Sequence, residues 1–274
     1  MMLRTVVLAV ISLMALVSVS EAQQEKIPPS QCQAIAGTLP GATFVRFQLP
    51  QFAQATNKDE VKITFVGHST YQIESPGGVV IATDYNGVYT TPKLPTVVTM
   101  NKAHSTHYTL TPDPSIKYVL HGWSDTTGEK AENHVVVGDT YIRNVSTDIR
   151  GYGGYEKNGN SIFIFEMAGL CIGHLGHLHY ELSDSHYAQI GRLDVVMVPV
   201  DGGLTMGADS MSRVVQRLRA SLILPMHRFG PPLERFLGMF DGSKFSVSYA
   251  EQPVITVSLR SLPKKPLILI PQGL

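Results

Sequence analysis

The sequence predicts a fold of the α/β class, and three observations predict it. Short β-branched, apolar runs separated by turn residues fill the chain from Val61 to about His174, as strands do. LDVVMVPV, from Leu193 to Val200, is a near-continuous apolar run of the kind that is covered on both faces. Between it and the next such run, SLILPM, the stretch Asp209 to Ala220 carries Met211, Val214, Val215 and Leu218 at helical spacing. Strand, helix and strand with short links make a right-handed parallel crossover.

The first residues, MMLRTVVLAVISLMALVSVSEA, read as a secretory leader. Arg4 gives the positive start, Val6 to Val19 the apolar core, and the small residues ending at Ala22 the cleavage site. A membrane-spanning anchor would need ~20 apolar residues. The expected product is a periplasmic or secreted protein, with no membrane partner once the leader is cleaved. Residues 23–60 read as an arm of weak periodicity, and residues 61–274 as a single domain without repeats.

Within that domain, Ile63, Phe65, Tyr71 and Ile73 are set among polar residues, and Ser75-Pro76-Gly77-Gly78 is a turn before the strand Val79–Ala82. LPTVVTM is a buried strand followed by NKAHSTHYT. Ile116–Leu120 is a further strand, and VVVGDTYIRNV (Val135–Val145) a hairpin. GYGGYEKNGN (Gly151–Asn160) reads as a loop, either a flexible connector or a rim over a pocket. SIFIFEM, the turn Ala168-Gly169 and LCIGHLGH form another hairpin; FSVSYA, ITVSL and LILI close the chain as short strands.

Gly67-His68-Ser69 after an apolar run raises the question of a serine nucleophile. That elbow needs glycine two residues after the serine, and a helix beyond it. Tyr71 occupies the glycine position and a hairpin follows, so Ser69 is not expected to attack.

Lys and Arg number 22 and Asp and Glu 22, a balance that gives no reason to expect nucleic acid or an anionic surface as partner. A small molecule is the expected partner; the oligomeric state is open. The two cysteines, Cys32 and Cys171, could pair in an oxidising compartment, yet Cys171 sits in an apolar run typical of a buried free thiol. That choice is left open by sequence.

The histidines cluster in a pattern. His104 and His107 follow one apolar strand; His174 and His177 follow another, with His179 and His186 close behind. His227 follows a third and His68 a fourth. Loops at the carboxyl ends of strands gather around sites in α/β sheets, and imidazole is the usual protein ligand for zinc. The alternative is a hydrogen-bonded polar cluster that holds no ion.

From about Val61 to Leu237 the chain resembles the metallo-β-lactamase superfamily, most closely the branch of metal-dependent hydrolases that includes L-ascorbate-6-phosphate lactonase. The resemblance rests on FVGHSTYQIES with IATDY, on VVTMNKAHSTHYT, on GLCIGHLGHLHYEL, and on RLDVVMVPVDGG leading to LILPMHRFG. It implies a four-layer αββα sandwich with a metal site at one edge.

The family's metal loop, His-x-His-x-Asp-His, falls on Lys102 to His107, so the first histidine and the aspartate are replaced by Lys102 and Thr106. No histidine stands near Ser146-Thr147-Asp148, and the bridging aspartate is replaced by His174. Carrying over what matches gives His104, His107, His174 and His227 as metal ligands. Imidazoles without a carboxylate suit one borderline-soft ion, zinc or another divalent transition metal, better than magnesium or calcium. His68, Asp84, Lys102, His177 and His179 are expected beside the metal or along the pocket, Asp84 as a buttress of the metal loop. Asp148 and Asp201 are the nearest candidates for a carboxylate base. The resemblance implies hydrolysis of an ester, lactone, amide or phosphodiester by metal-activated water. A metal- or ligand-binding protein that keeps the fold without the catalysis is the alternative.

Overall fold

The computed structural model describes residues 28–33, 59–151 and 154–274. The expected leader at residues 1–22 and most of the arm at 23–60 lie outside the described residues. From Val61 the chain forms β1 (Val61–Gly67), β2 (Thr70–Glu74), β3 (Val80–Ala82), β4 (Val97–Met100), β5 (Tyr118–His121), β6 (His134–Val137), β7 (Thr140–Gly151), β8 (Gly154–Met167) and β9 (Leu170–His174). It continues through α1 (Asp184–Ile190), β10 (Val195–Pro199), α2 (Ala208–Leu218), β11 (Leu222–Met226), α3 (Leu233–Leu237), β12 (Ser246–Tyr249), β13 (Val254–Val257) and β14 (Leu267–Ile270).

These strands make two mixed sheets. One has six strands in the order β13-β1-β2-β3-β4-β5, the other eight in the order β12-β14-β11-β10-β9-β8-β7-β6. The expected crossover is present: β10 and β11 pair in parallel, Val195 opposite Leu222, with α2 between them in sequence. Asp209 in the first turn of α2 and Arg217 in the last complement the helix dipole, and Arg219 ends the helix in the left-handed region at φ 54°.

The sandwich is held by the face each strand buries. Ile63, Ile73 and Ile81 of the six-stranded sheet share a core with Phe163, Phe165, Met197 and Leu224 of the eight-stranded one. Each such side chain contributes roughly 1.5–3 kcal/mol by leaving water. Tyr71, where a nucleophile elbow would need glycine, spans the two sheets and donates its hydroxyl to the Pro225 carbonyl at 2.7 Å. On the outer face of the eight-stranded sheet, Ile164, Val196 and Ile223 pack with Met211, Val214, Val215 and Leu218 of α2. On the outer face of the six-stranded sheet, the described cover is loop: Ala82, Val98 and Met100 pack with Ile116, Tyr108 and Trp123.

Two sequence readings are changed or settled. The described part of Gly151–Asn160 is strand and not loop, since β7 reaches Gly151 and β8 starts at Gly154, with Ile149 paired to Glu156 and Arg150 to Tyr155. Gly159 serves close packing: a Cβ there would lie 2.6 Å from the Ile149 side chain. Cys32 and Cys171 are joined by a disulfide across a separation of 139 residues. The bond fastens a short segment whose Ser30 hydroxyl and Gln31 amide both donate to Glu166. Arg143, buried beside it, donates to Glu166 at 2.8 Å and to the carbonyls of Gln189 and Ile190 at the end of α1. The buried guanidinium is thus paired and hydrogen-bonded, as burial demands.

Candidate metal centre

Three strand ends and one loop converge at one edge of the sandwich. β1 breaks register between Phe65 and Gly67 and hands the chain to His68, whose φ is 52°. β11 ends at Met226, and His227 follows at φ 53°, donating its backbone N–H to the His68 carbonyl at 2.7 Å. β4 leads into Asn101, and the His107 amide folds back on the His104 carbonyl at 3.0 Å. That turn sets the His104 and His107 rings edge to face, 4.5 Å between centroids. The outcome is a set of four imidazoles, His68, His104, His107 and His227, with one ring nitrogen of each within 4.8 Å of the others.

Their hydrogen bonding leaves lone pairs facing inward. Asp84 Oδ2 lies 2.5 Å from His107 Nδ1 at zero exposure for both side chains, so the ring donates there and its Nε2 carries a lone pair. Asn101 donates to the other Asp84 oxygen at 2.9 Å. Burial would raise the Asp84 pKa, but the nearby His107 and His174 and the donors on its oxygens outweigh it and hold it below the ordinary carboxylate value. His68 Nε2, His107 Nε2 and both ring nitrogens of His227 are buried with no hydrogen-bond partner among the described residues. Each orphaned polar atom costs roughly 1–3 kcal/mol, and a cation among them would satisfy all the inward ones together. Burial, then the neighbouring His227 and His107, lower His68 to about 3. Burial, then His107 and His227, lower His104 to about 4. Neutral imidazoles are the form that binds a metal, so these residues fit one.

His177 and His179 extend the cluster. His177 Nε2 lies 3.0 Å from His104 Nε2, and His177 Nδ1 lies 2.9 Å from His179 Nε2. Burial, then the neighbouring His107, holds the His177 pKa far below its ordinary value; burial, then Arg150, lowers His179 to about 4. Both line a cavity of about 260 Å³ with Ala103, His104, Arg150, Gly151 and Leu204. A pocket therefore opens beside the four imidazoles.

The remaining expected residues lie elsewhere or are occupied. His174 is outside the group: Gly176 donates to its Nδ1 at 3.1 Å, and its Nε2 lies 2.8 Å from the Ser69 carbonyl. Both nitrogens are tied to backbone groups at the end of β9, and the ring is not among the four whose nitrogens lie within 4.8 Å of one another. His68 stands in the group instead. Asp201 Oδ2 accepts from the amides of Gly203, Leu204 and Thr205, and Oδ1 from the Thr205 hydroxyl. His227 Nδ1 lies 3.3 Å from Oδ1 without hydrogen-bond alignment. Burial would raise the Asp201 pKa, but His227 and the Thr205 donors hold it well below the usual range. Asp201 therefore anchors the pocket loop. Asp148 accepts from the Tyr155 hydroxyl at 2.7 Å and the Asn158 amide at 2.8 Å within the β7–β8 hairpin. Both carboxylates are engaged in fixing these segments, and neither is among the residues that line the pocket. Lys102 forms an ion pair with Glu156.

A family model described as a beta-lactamase superfamily domain matches residues 62–227. A UPF0173 metal-dependent hydrolase of Pyrococcus furiosus is 24% identical over 189 residues, covering 61% of this chain and 84% of that protein. A Thermotoga maritima structure assigned as a Zn-dependent hydrolase of the metallo-β-lactamase superfamily is 26% identical, with a TM-score of 0.54. It covers 77% of this chain and 97% of that one. A Parabacteroides distasonis protein assigned as a metal-dependent hydrolase is 15% identical, with a TM-score of 0.51, covering 67% and 89%, and shares the fold.

Proposed function

Because the chain belongs to the β-lactamase superfamily, we propose that it is a metal-dependent hydrolase of a small-molecule ester, lactone, amide or phosphodiester. The names of its Pyrococcus and Thermotoga relatives support that class. The observation that carries the reading is the convergence of His68, His104, His107 and His227, their ring nitrogens within 4.8 Å of one another. A shell of imidazoles without a carboxylate favours one zinc ion over magnesium or calcium. A bound zinc ion supplies Lewis-acid polarisation of the bond under attack and makes water more acidic.

The chain's own residues do the rest. Asp84 fixes the His107 ring so that Nε2 faces the cluster. Asp201 gathers the amides of residues 203–205, and the Arg150 guanidinium donates to the carbonyls of the same three residues. That loop is the wall of the pocket in which a substrate would be oriented, with Leu204 as its apolar contact. Metal analysis of purified protein, with His104→Ala and His227→Ala as controls, tests the reading. One ion per chain that both variants lose supports it; absence of a stoichiometric ion discards it.

One observation favours a second reading, a binding protein without turnover: Thr106 replaces the loop aspartate and both candidate carboxylates are occupied. Chelator-sensitive turnover of any ester, lactone or phosphodiester by zinc-loaded protein rules that reading out. The leader-like Met1–Ala22 and the Cys32–Cys171 disulfide support export to an oxidising compartment, periplasmic or secreted. Sequencing the amino terminus of secreted material tests cleavage after Ala22.

A further inference from the structure

Arg150 does two separate things. Its guanidinium holds the pocket loop, while its backbone N–H donates to His179 Nδ1 at 2.9 Å. A backbone amide can only donate, so His179 Nδ1 is bare and the proton of this neutral ring sits on Nε2. That N–H faces the Leu204 carbonyl and His177 Nδ1, each 2.9 Å away. Two N–H groups cannot face each other at that distance. His177 Nδ1 is therefore bare, and its proton sits on Nε2.

The same logic runs one step further. His177 Nε2–H faces His104 Nε2 at 3.0 Å, which must supply a lone pair. The His104 proton then sits on Nδ1 and donates to the Thr106 hydroxyl at 2.7 Å. Every nitrogen in the chain Arg150, His179, His177, His104 has one consistent role. The backbone of His177 is pinned as well, donating to Asn160 Oδ1 at 2.8 Å. Asn160 is buried, and a Cβ on the neighbouring Gly176 would lie 2.4 Å from that oxygen.

We infer that His177 is a hydrogen-bond donor to a substrate oxygen, its Nε2–H aimed by a relay of fixed tautomers that begins at the Arg150 backbone amide. The inference rests on the metal-dependent hydrolase reading above. In the chain without an ion, the His104 lone pair receives the His177 N–H. An ion held by His104 would claim that lone pair, and the His177 N–H would then have to turn to another acceptor in the pocket that both residues line. An N–H at that position meets the carbonyl or phosphoryl oxygen of a bound molecule, where negative charge develops during hydrolysis. His177 is thus a neutral donor and not a fifth ligand. His179 is a positioning residue acting through it.

The test uses the full chain labelled with ¹⁵N-histidine and loaded with ¹¹³Cd²⁺. Two-bond proton–nitrogen correlations report each ring's tautomer, and cadmium–nitrogen couplings report each ligand. The expected result is an Nε2–H tautomer for His177 with and without cadmium, and no coupling to cadmium, while His104, His107 and His227 couple. Inorganic phosphate added to the cadmium form is expected to shift the His177 Nε2–H resonance. It is expected to bind His177→Leu roughly 10-fold or more weakly, and His177→Gln, which keeps an N–H, near the level of the parent chain. Cadmium coupling to His177 Nε2, or a proton on His177 Nδ1, overturns the inference and leaves the metal reading intact. Absence of coupling to every cluster histidine instead overturns the metal reading itself.

Discussion

Asp84 and His107 stand 2.5 Å apart, Oδ2 to Nδ1, where neither side chain has any exposure. The pair explains how a loop lacking the family's aspartate still presents a defined imidazole. A carboxylate behind a metal-ligating histidine fixes its tautomer and raises its basicity. Asp84→Asn keeps the shape and removes the charge. The expected outcome is a 10–100-fold loss in zinc affinity, read by competition with a chromophoric chelator. Unchanged affinity would mean that Asp84 serves the fold alone.

His174 offers the complementary case. Its ring ties the end of β9 to the Ser69 carbonyl and takes the Gly176 amide. His174→Ala is expected to cost roughly 1–3 kcal/mol of stability, since it orphans buried backbone groups. Zinc stoichiometry should not change, whereas His107→Ala should lose the ion. Urea unfolding paired with metal analysis checks both; loss of zinc in His174→Ala would restore it to the ligand set.

The metal-free protein should be acid-sensitive through this cluster. His68 and His104 are lowered from 6.5 to about 3 and about 4 by burial first and by their neighbours second. Between those values and 6.5 the unfolded chain binds more protons than the folded one, so stability falls as pH falls through that window. The depressed Asp84 acts in the same direction at lower pH, its contribution present above the ordinary carboxylate range and lost below it. Melting temperatures in chelator should therefore drop steadily below pH 6.5. A flat profile from pH 7 to 4 would contradict the assignment of neutral, half-buried rings.

The Cys32–Cys171 bond closes a separation of 139 residues. Cys32→Ser with Cys171→Ser, or full reduction, should destabilise the chain by roughly 2–5 kcal/mol. Denaturant titration with and without reductant reads this directly. A midpoint that does not move would show that the segment around Ser30 is held by Glu166 without help from the disulfide.

Much of the sandwich was legible because its signals are local. Alternation, turn residues and the apolar runs around Met197 and Leu224 each belong to one strand, and histidines directly after four strands pointed to one edge. What failed to show in sequence depends on direction. His174 and His177 lie three residues apart, and only the turn at Gly176, φ 60°, decides which ring reaches the cluster. His68 was visible as a strand-end histidine, but its place in the group depends on the bulge before it and on its contact with His227. Gly159 read as loop composition, yet its missing side chain makes room for Ile149 within a ladder. The disulfide needed geometry that spacing cannot supply.

The most direct measurement is anomalous diffraction at the zinc edge from crystals of the zinc-loaded chain. The account predicts a single peak at roughly 2.0–2.1 Å from ring nitrogens of His104, His107 and His227, on the side that His68 also faces. A peak held by His174 or Asp201, or no peak at the four imidazoles, would contradict it.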